Sequence, residues 1–518
     1  MENANPNLSS LLDRDKSLAI WLQTNSKGIL ALALLAGAFW TIFYFQFTVD
    51  DAFILFRYGK NLIAHHVWNW NSTGIHEEAY TSAVYAALSI VPAFLHISPS
   101  LFFKFIGLAC IGAMLYRLRT AAASELGYLL GVLTIALNPW FWLHAYAGLE
   151  TPLYILLLLE MAICVDRAPS TTAWRVYALF LLLPLTRPEG VIFACVGVAL
   201  FWFRRERGRQ FWLFAIVLSL GVMYFLARWN YFHHLLPNPY YLKLAHADWS
   251  RTWTILLSNL NESKGYFLVL LLVGLLARKF YTRIFAVCGF LLLLLLYAPH
   301  DMQMNYADRF YFQIACPILL FFFIAEDLVP MARVASVVAV VFLFSITFPY
   351  LRTALIYFPF RTQADIDLAH RLAPFAKDHT ILTPNAGAIP YYSDWVAYDF
   401  FGLGTYRMGP DKLTLSLLKE LHPDLIVVES TEPGLKDFWS LGSYPNKYVE
   451  IEFLKESTEY EYVGESGARG VYNVEFLRKD TAQHDEIIRA LQQNMQASAR
   501  SKLTWKDLVL QRYVRWTD

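Results

Sequence analysis

Charge is what this chain has least of. Only 16% of its 518 residues are Asp, Glu, Lys or Arg, against roughly 25% in soluble domains, which excludes a soluble surface over most of its length. The charges also nearly cancel: 43 basic and 42 acidic side chains leave +1. That balance gives no sign of a nucleic-acid partner and no polybasic lipid anchor. Cysteine is equally sparse. Cys110, Cys164, Cys195, Cys288 and Cys316 all stand in apolar runs without CxxC spacing. They are expected to be small buried hydrophobes, which excludes disulfides and a thiolate metal site. No internal repeat is visible, which counts against an inverted-repeat transporter. Cleavable-signal features are poor too: residues 1–27 are polar and mixed in charge, and no small-residue site follows the first apolar run, so residues 28–47 read as a retained helix.

What is abundant is apolar surface: 57% hydrophobic and 16% aromatic residues, with a mean hydropathy of +0.37. This composition predicts an α-helical polytopic membrane protein. Arg14, Lys16 and Lys27 place the N-terminus in the cytoplasm by the positive-inside rule. Further apolar runs lie at 101–116, 126–143, 152–165, 174–185, 191–203, 211–227, 255–276, 284–297, 310–325 and 334–350. Alternating them across a membrane brings Arg117, Arg119, Arg167, the RRERGR cluster at 204–209, Arg278, Lys279, Arg283 and Arg333 to the inner side. That parity holds only if the apolar run 81–97 does not cross, so it is expected to be an interfacial or re-entrant helix in a first outer loop, 50–100. The expectation is about eleven transmembrane helices, several shorter than the roughly 20 residues a bilayer core requires.

Three regions follow: a cytoplasmic N-terminus, 1–27; a transmembrane module, 28–351; and a tail, 352–518. The tail holds roughly half of all charged residues and short β-like runs such as HTILT and PDLIVVES. It is expected to be a soluble periplasmic α/β domain, on the same outer side as Asp50.

Polar chemistry collects in the outer loops. The first carries Asp50, Asp51, Arg57, His65, His66, Glu78 and Tyr80; later ones carry His144, Glu150, Arg187, Glu189, His233, His234, Lys243, His300, Asp301, Asp308 and Arg309. None of the thirteen histidines falls in an expected inner loop. Each group also has an ordinary role. Asp50 or Asp51 would cap a helix, Glu150 would cap the helix at Pro152, Arg187 and Glu189 would pair locally, and Lys243 would snorkel. Glu160, inside an apolar run, is expected to be paired or protonated. As a set, however, these groups suit glycosyl transfer from a lipid-linked donor. Asp50 or Asp51 would take a proton from the acceptor hydroxyl. Arg309, Lys243 and Arg187 would hold the phosphate leaving group. A divalent cation, Mg or Mn, could bridge Asp50 or Asp51 to the phosphate, although no ligand motif demands one.

The stretches TVDDAFILFRYGKNL, EEAYTSAVY, NPWFWLHAYAGLETPLY, LTRPEG, LLPNPYYLK and GAIPYYSDW…DFFGLG, in that order from residue 48 to about 404, resemble a family of bacterial GT-C membrane glycosyltransferases. Among these the chain looks most like the terminal arabinofuranosyltransferases of cell-wall arabinan. The resemblance implies an acidic first outer loop with juxtamembrane helices. It implies a polyprenyl-phosphate-linked sugar donor, inversion at the anomeric centre and a glycan or glycolipid acceptor at the outer face of the cytoplasmic membrane. The sugar would be one such as the pentose arabinofuranose. Position by position, Asp50 and Asp51 match the acidic pair. Glu78 matches the acid before YTS, Glu150 the GLE, and Arg187 and Glu189 the RPEG. Lys243 matches the lysine after PNPYY, and Asp301 and Arg309 an acid followed by an RF pair. Arg57, Tyr80, His233, His300, Tyr391 and Tyr392 complete the expected substrate-binding set. One departure stands out: Asn385 occupies a place where the family is expected to carry an acid. Gly387 and residues 391–393 would then roof the site or form an ordinary strand–loop turn. The rival function is a transporter or flippase of lipid-linked sugars, which would place charges near the bilayer midplane. Apart from Glu160, they lie at one face.

Overall fold

The computed structural model describes residues 16–168, 170–204, 211–244, 249–300, 305–347, 358–375, 377–408, 414–430, 453–454, 456–468 and 471–492. A helix occupies each of the eleven stretches expected to cross. They are Ser26–Tyr44, Pro99–Ala121, the pair Glu125–Leu137 and Pro139–Tyr146, Thr151–Asp166, Ala173–Thr186, Gly190–Arg204, Phe211–Phe232, Trp249–Leu276, Phe280–Tyr297, Arg309–Ala325 and Ala332–Thr347. Among the described residues five helices are long and apolar enough to cross a bilayer alone, or six if the Glu125–Tyr146 pair, bent by 61°, counts as one. Several others run 14 to 16 residues, or about 21–24 Å at 1.5 Å per residue.

Local chemistry sets the breaks. Ser98 and Ser124 accept from backbone N–H groups of Leu101 and Gly127 at 3.3 and 3.2 Å. Asn138 accepts from Trp140 N at 2.9 Å, and Pro139 follows it at the first helical position, the favoured arrangement for starting a helix. The 81–97 run folds as two six-residue helices, Ala83–Leu88 and Ile90–Leu95. Each is about 9 Å long, far short of a bilayer core.

Packing separates a post from a rim. Every residue of Arg309–Ala325 is buried, as expected of a helix that is apolar all round. It packs against Thr151–Asp166, Trp249–Leu276, the 280–292 helix and Glu125–Leu137. Phe211–Phe232 is the opposite case, with Phe211, Trp212 and Met223 largely exposed. Glu160 is paired as expected, with Arg117 and with Arg175 at 3.3 Å. The cysteines are all free, but only Cys110, Cys164 and Cys316 are buried. The expectation that all five are interior fails for Cys195, which is exposed, and Cys288, which is half-buried. Both sit on outward faces of apolar helices, where a thiol also behaves as a small hydrophobe.

The tail forms a five-stranded mixed sheet in the order β2-β1-β3-β5-β4, with β1 Thr380–Thr383, β2 Val396–Asp399, β3 Leu425–Ser430, β4 Tyr460–Ala468 and β5 Val471–Arg478. β1 pairs in parallel with β2 and β3, and β5 is antiparallel to β3 and β4. Alternation along the strands divides the faces. Leu382, Ile426 and Val428 join Phe400, Met408, Leu417 and Leu418 in a separate cluster. Ile381, Leu425 and Val427 join the core that runs on through Ala386, Ala388 and Ile389 into the helical bundle. The sheet is therefore seated on the bundle rather than tethered to it.

Candidate functional site

The helix Asp50–His65 opens on its two acids. Consecutive residues on a helix point about 100° apart, and the two carboxylates go to different neighbours. Asp50 is buried, and its carboxylate accepts two backbone N–H groups of the tail, Gly387 at 2.9 Å and Ala388 at 2.7 Å. Asp51 faces the bundle. Its side chain is 16% exposed and lies 3.4 Å from Arg309 Nη1. The first turn is fixed from behind by Val49 N–H donating to Ala147 O at 3.0 Å. Gly148, at φ +85°, stands where any Cβ would press on Ala52 and Phe56.

Arg309 begins the buried central helix. The two residues before it, Ala307 and Asp308, both take left-handed backbone angles, φ 48° and 52°. Such angles are costly for residues other than glycine and tend to be kept at functional sites. Two contacts hold the turn: the His144 ring at Nε2 lies 3.1 Å from Ala307 O, and Tyr266 OH donates to Asp308 at 3.1 Å. The Arg309 guanidinium lies over the rings of Phe310 and Tyr306, at 4.7 and 5.2 Å. Its Nε is buried and meets no hydrogen-bond acceptor among the described residues.

A closed network lies beside it. Arg187 bonds Glu150, and its Nε bonds Glu189 at 2.6 Å. Glu189 also accepts from Tyr297 OH at 2.5 Å and Gln313 Nε2 at 2.9 Å, and Tyr240 of the PNPYY stretch reaches it too. All three charged groups are buried. Arg187 lies 5.1 Å over Phe310, the same ring that Arg309 covers.

The rest of the first loop holds the molecule together. Glu78 forms a two-point pair with Arg228, with Nε at 2.9 Å from Oε1; burial raises its pKa above the ordinary carboxylate value in spite of that partner. Glu77 accepts from Asn238 Nδ2 at 2.6 Å and from Tyr406 N at 3.1 Å. Arg57 donates to Trp395 O at 2.8 Å and stacks over Trp70. Lys60 donates to Tyr391 O at 2.8 Å and pairs with Asp394 at 3.0 Å. Burial raises Asp394, but Lys60 with Lys377 outweighs it and holds the carboxyl below its ordinary value. Tyr80 OH accepts from Trp68 Nε1 at 3.1 Å.

Residues 358–499 match a family described as a domain of unknown function, DUF8728. No curated protein matches the chain. Among solved structures, the crystal structure of ArnT from Cupriavidus metallidurans bound to undecaprenyl phosphate is similar over 86% of this chain and 97% of that one. At 11% identity and a TM-score of 0.42 the likeness is too slight to carry an argument.

The structure thus gathers Asp51, Glu150, Arg187, Glu189 and Arg309 around Phe310 and Tyr306. It places Asp50, Arg57, Tyr391 and Tyr392 at the seam with the tail; the two tyrosines pack on Phe53 at 5.6 and 5.4 Å. Glu78 and Tyr80 lie at the Arg228 side of the loop, where Tyr80 packs on Phe232. His233 is exposed, at φ 60°. The His300 ring lies 2.8 Å from Leu296 O and its own carbonyl accepts from Asn259. Asp301 lies outside the described residues. Lys243 lies in the Asn238–Leu244 helix, but its side chain is outside them. Among the described residues no three His, Cys, Asp or Glu side chains are placed to hold a metal ion. The Asp50 carboxylate bonds the tail, and that of Asp51 lies toward Arg309. Arg228, Tyr297, Gln313 and Tyr240 escaped the sequence reading. Of these only Tyr240 carried a signal, its place in PNPYY.

Proposed function

We propose that this chain is an integral membrane glycosyltransferase that moves a sugar from a polyprenyl-phosphate donor to an envelope glycan or glycolipid. Its working face is extracytoplasmic, on the side of the tail. The observation that carries this reading is the Asp51–Arg309 pair: a partly exposed carboxylate at 3.4 Å from a guanidinium whose buried Nε–H meets no acceptor among the described residues, mounted on a left-handed turn at the end of a fully buried helix. A base and an anion holder side by side are what the reaction needs.

Asp51 takes the proton of an acceptor hydroxyl as that oxygen attacks the anomeric carbon. The bond from the anomeric carbon to the phosphate oxygen breaks, and the lipid phosphate leaves with the electron pair, held by Arg309. Attack opposite the leaving group inverts the centre. Arg187 is already matched by Glu150 and Glu189, so its role is to fix these elements rather than to bind phosphate. The five charged groups are three carboxylates and two guanidiniums, and a phosphate adds further negative charge. Lys243, on the adjoining PNPYY helix, is the cation this reading calls on. A pentose such as arabinofuranose fits the motif resemblance of the sequence.

The test is Asp51→Asn. Removing a general base lowers rate by about 10²–10⁴-fold. In a deletion strain carrying only this variant, the linkage made by the wild-type protein should be missing from the envelope glycan while the protein remains in the membrane. Full retention of that linkage rejects the mechanism. In proteoliposomes, movement of labelled lipid-linked sugar without any glycosidic product would favour a flippase instead.

A further inference from the structure

We propose that Asp50 is a positioning residue: through Gly387 and Ala388 it locks the tail onto the first turn of the Asp50–His65 helix, and this contact sets the neighbouring Asp51 for reaction. The inference rests on the reading of Asp51 as the base. Two hydrogen bonds of the Asp50 carboxylate run to backbone N–H groups of one tail turn, at 2.9 and 2.7 Å, and the side chain is buried there. The turn is also built for close approach. A Cβ on Gly387 would stand 1.9 Å from the Asp50 carbonyl oxygen and 2.6 Å from its carbon, so only glycine lets the two backbones meet.

The contact does not stand alone. Ala386 O, one residue earlier, accepts from Trp70 Nε1 at 3.1 Å. Further along the same turn and helix, Lys60 and Arg57 bind Tyr391 O and Trp395 O, both at 2.8 Å. Asn71 bonds Ala397 in both directions, at 2.9 and 3.0 Å. The tail therefore grips the first-loop helix from its first residue onward. Residue 51 belongs to that gripped turn, and its own carboxylate points to Arg309. A shift of the turn of the order of 1 Å would misplace the base, and misplacements of that size cost about 10²-fold. In this arrangement the tail needs no catalytic side chain of its own, which accounts for Asn385 where an acid is expected. Asn385 instead donates to Asp365 Oδ1 at 3.0 Å, inside the tail.

The experiment compares Asp50→Asn, Gly387→Ala and Asp51→Asn in the full-length protein. Hydrogen exchange of the 384–393 amides reports the contact directly. Complementation of the envelope linkage in a deletion strain reports transfer. Asp50→Asn and Gly387→Ala should each speed exchange of these amides by about ten- to a hundredfold, the usual weight of hydrogen bonds to a charged acceptor. Each should also reduce the linkage strongly, and the double variant should be no worse than the more severe single one. Gly387→Ala is the decisive arm because it leaves both aspartates in place. Asp51→Asn should abolish the linkage without changing exchange. If Gly387→Ala accumulates poorly, Ala388→Pro removes one N–H at a first helical position that tolerates proline, and the same outcomes apply. Loss of linkage in Asp50→Asn with wild-type exchange would overturn the proposal, since Asp50 would then itself handle the proton. Faster exchange with normal linkage would also overturn it, because the contact would then serve the fold alone. Retention of linkage by Asp51→Asn would instead defeat the underlying assignment of the base, with exchange still deciding whether Asp50 holds the tail.

Discussion

Arg187 and Arg309 lie over the same phenyl ring, Phe310, at 5.1 and 4.7 Å, yet their surroundings differ in kind. Arg187 is enclosed by Glu150 and Glu189, and Glu189 is in turn bonded by Tyr297 and Gln313. Arg309, which also lies over Tyr306, has one long ion pair among the described residues, to an Asp51 that still meets solvent. A closed ion-pair cluster holds elements in place, whereas on the proposed reading an open pair exchanges its partner for a substrate. The same division separates Asp50 from Asp51, one residue apart. Residue type and closeness in sequence are thus shared by closed and open groups, and only their partners tell them apart.

The comparison can be broken in four ways. The largest effect on stability is expected from Arg187→Gln. It strands two buried carboxylates, and breaking a buried pair costs about 3–5 kcal/mol. The thermal midpoint of the purified protein should fall sharply; an unchanged midpoint would show that the network is not architectural. Arg309→Gln should behave in the reverse sense. Transfer should drop by about 10²–10³-fold, as on removal of an electrostatic stabiliser, while the thermal midpoint falls less than for Arg187→Gln. If the two variants exchange these phenotypes, the assignment of roles is inverted.

A third, smaller effect depends on pH. Burial pushes Asp399, at the end of β2, up to about 7, against three backbone N–H donors that favour its charged form; the nearby Asp50 charge adds to the rise. Burial raises Glu475 to about 7 as well. A folded-state pKa above the unfolded value means that stability is fully present below about 4 and is lost as pH rises through about 7. The seam should therefore hold better at pH 5 than at pH 8, seen as slower exchange of the 384–393 amides once intrinsic rates are removed. Asp399→Asn should flatten part of that slope, leaving the share of Glu475. An unaltered slope would remove Asp399 from the account. The smallest effect is expected at the rim. Lys377 is 68% exposed and only seconds Lys60 at Asp394, so Lys377→Ala should change stability by less than about 0.5 kcal/mol, as measured by chemical denaturation.

The helices were legible because their signals are local. Long apolar runs mark them, with prolines 99 and 152 at two of their starts; the break at Asn138 and Pro139, inside the run 126–143 read as one span, was not legible from hydropathy. The outer-loop acids and bases were legible as a set, since charge is rare enough here to stand out. Their sorting was not. Glu78 meets Arg228, 150 residues away, and Asp50 meets Gly387, 337 residues away, and no spacing rule reaches that far. Tyr297 and Gln313 were hidden for a different reason: inside apolar runs they look like ordinary core residues, and only the arrival of Glu189 from the turn between two other helices gives their polar groups a purpose. Cys195 was misplaced because hydropathy cannot distinguish an interior face from one turned toward lipid.

The central helix has a mechanical consequence. Buried along every side from Arg309 to Ala325, it has no free surface on which to slide or turn without disturbing all its neighbours at once. It is built as a fixed post rather than a piston, and any shift of the guanidinium at its tip would carry the packed neighbours with it. The thinly covered elements at the rim, such as Phe211–Phe232, are the ones that can shift without unpacking the core.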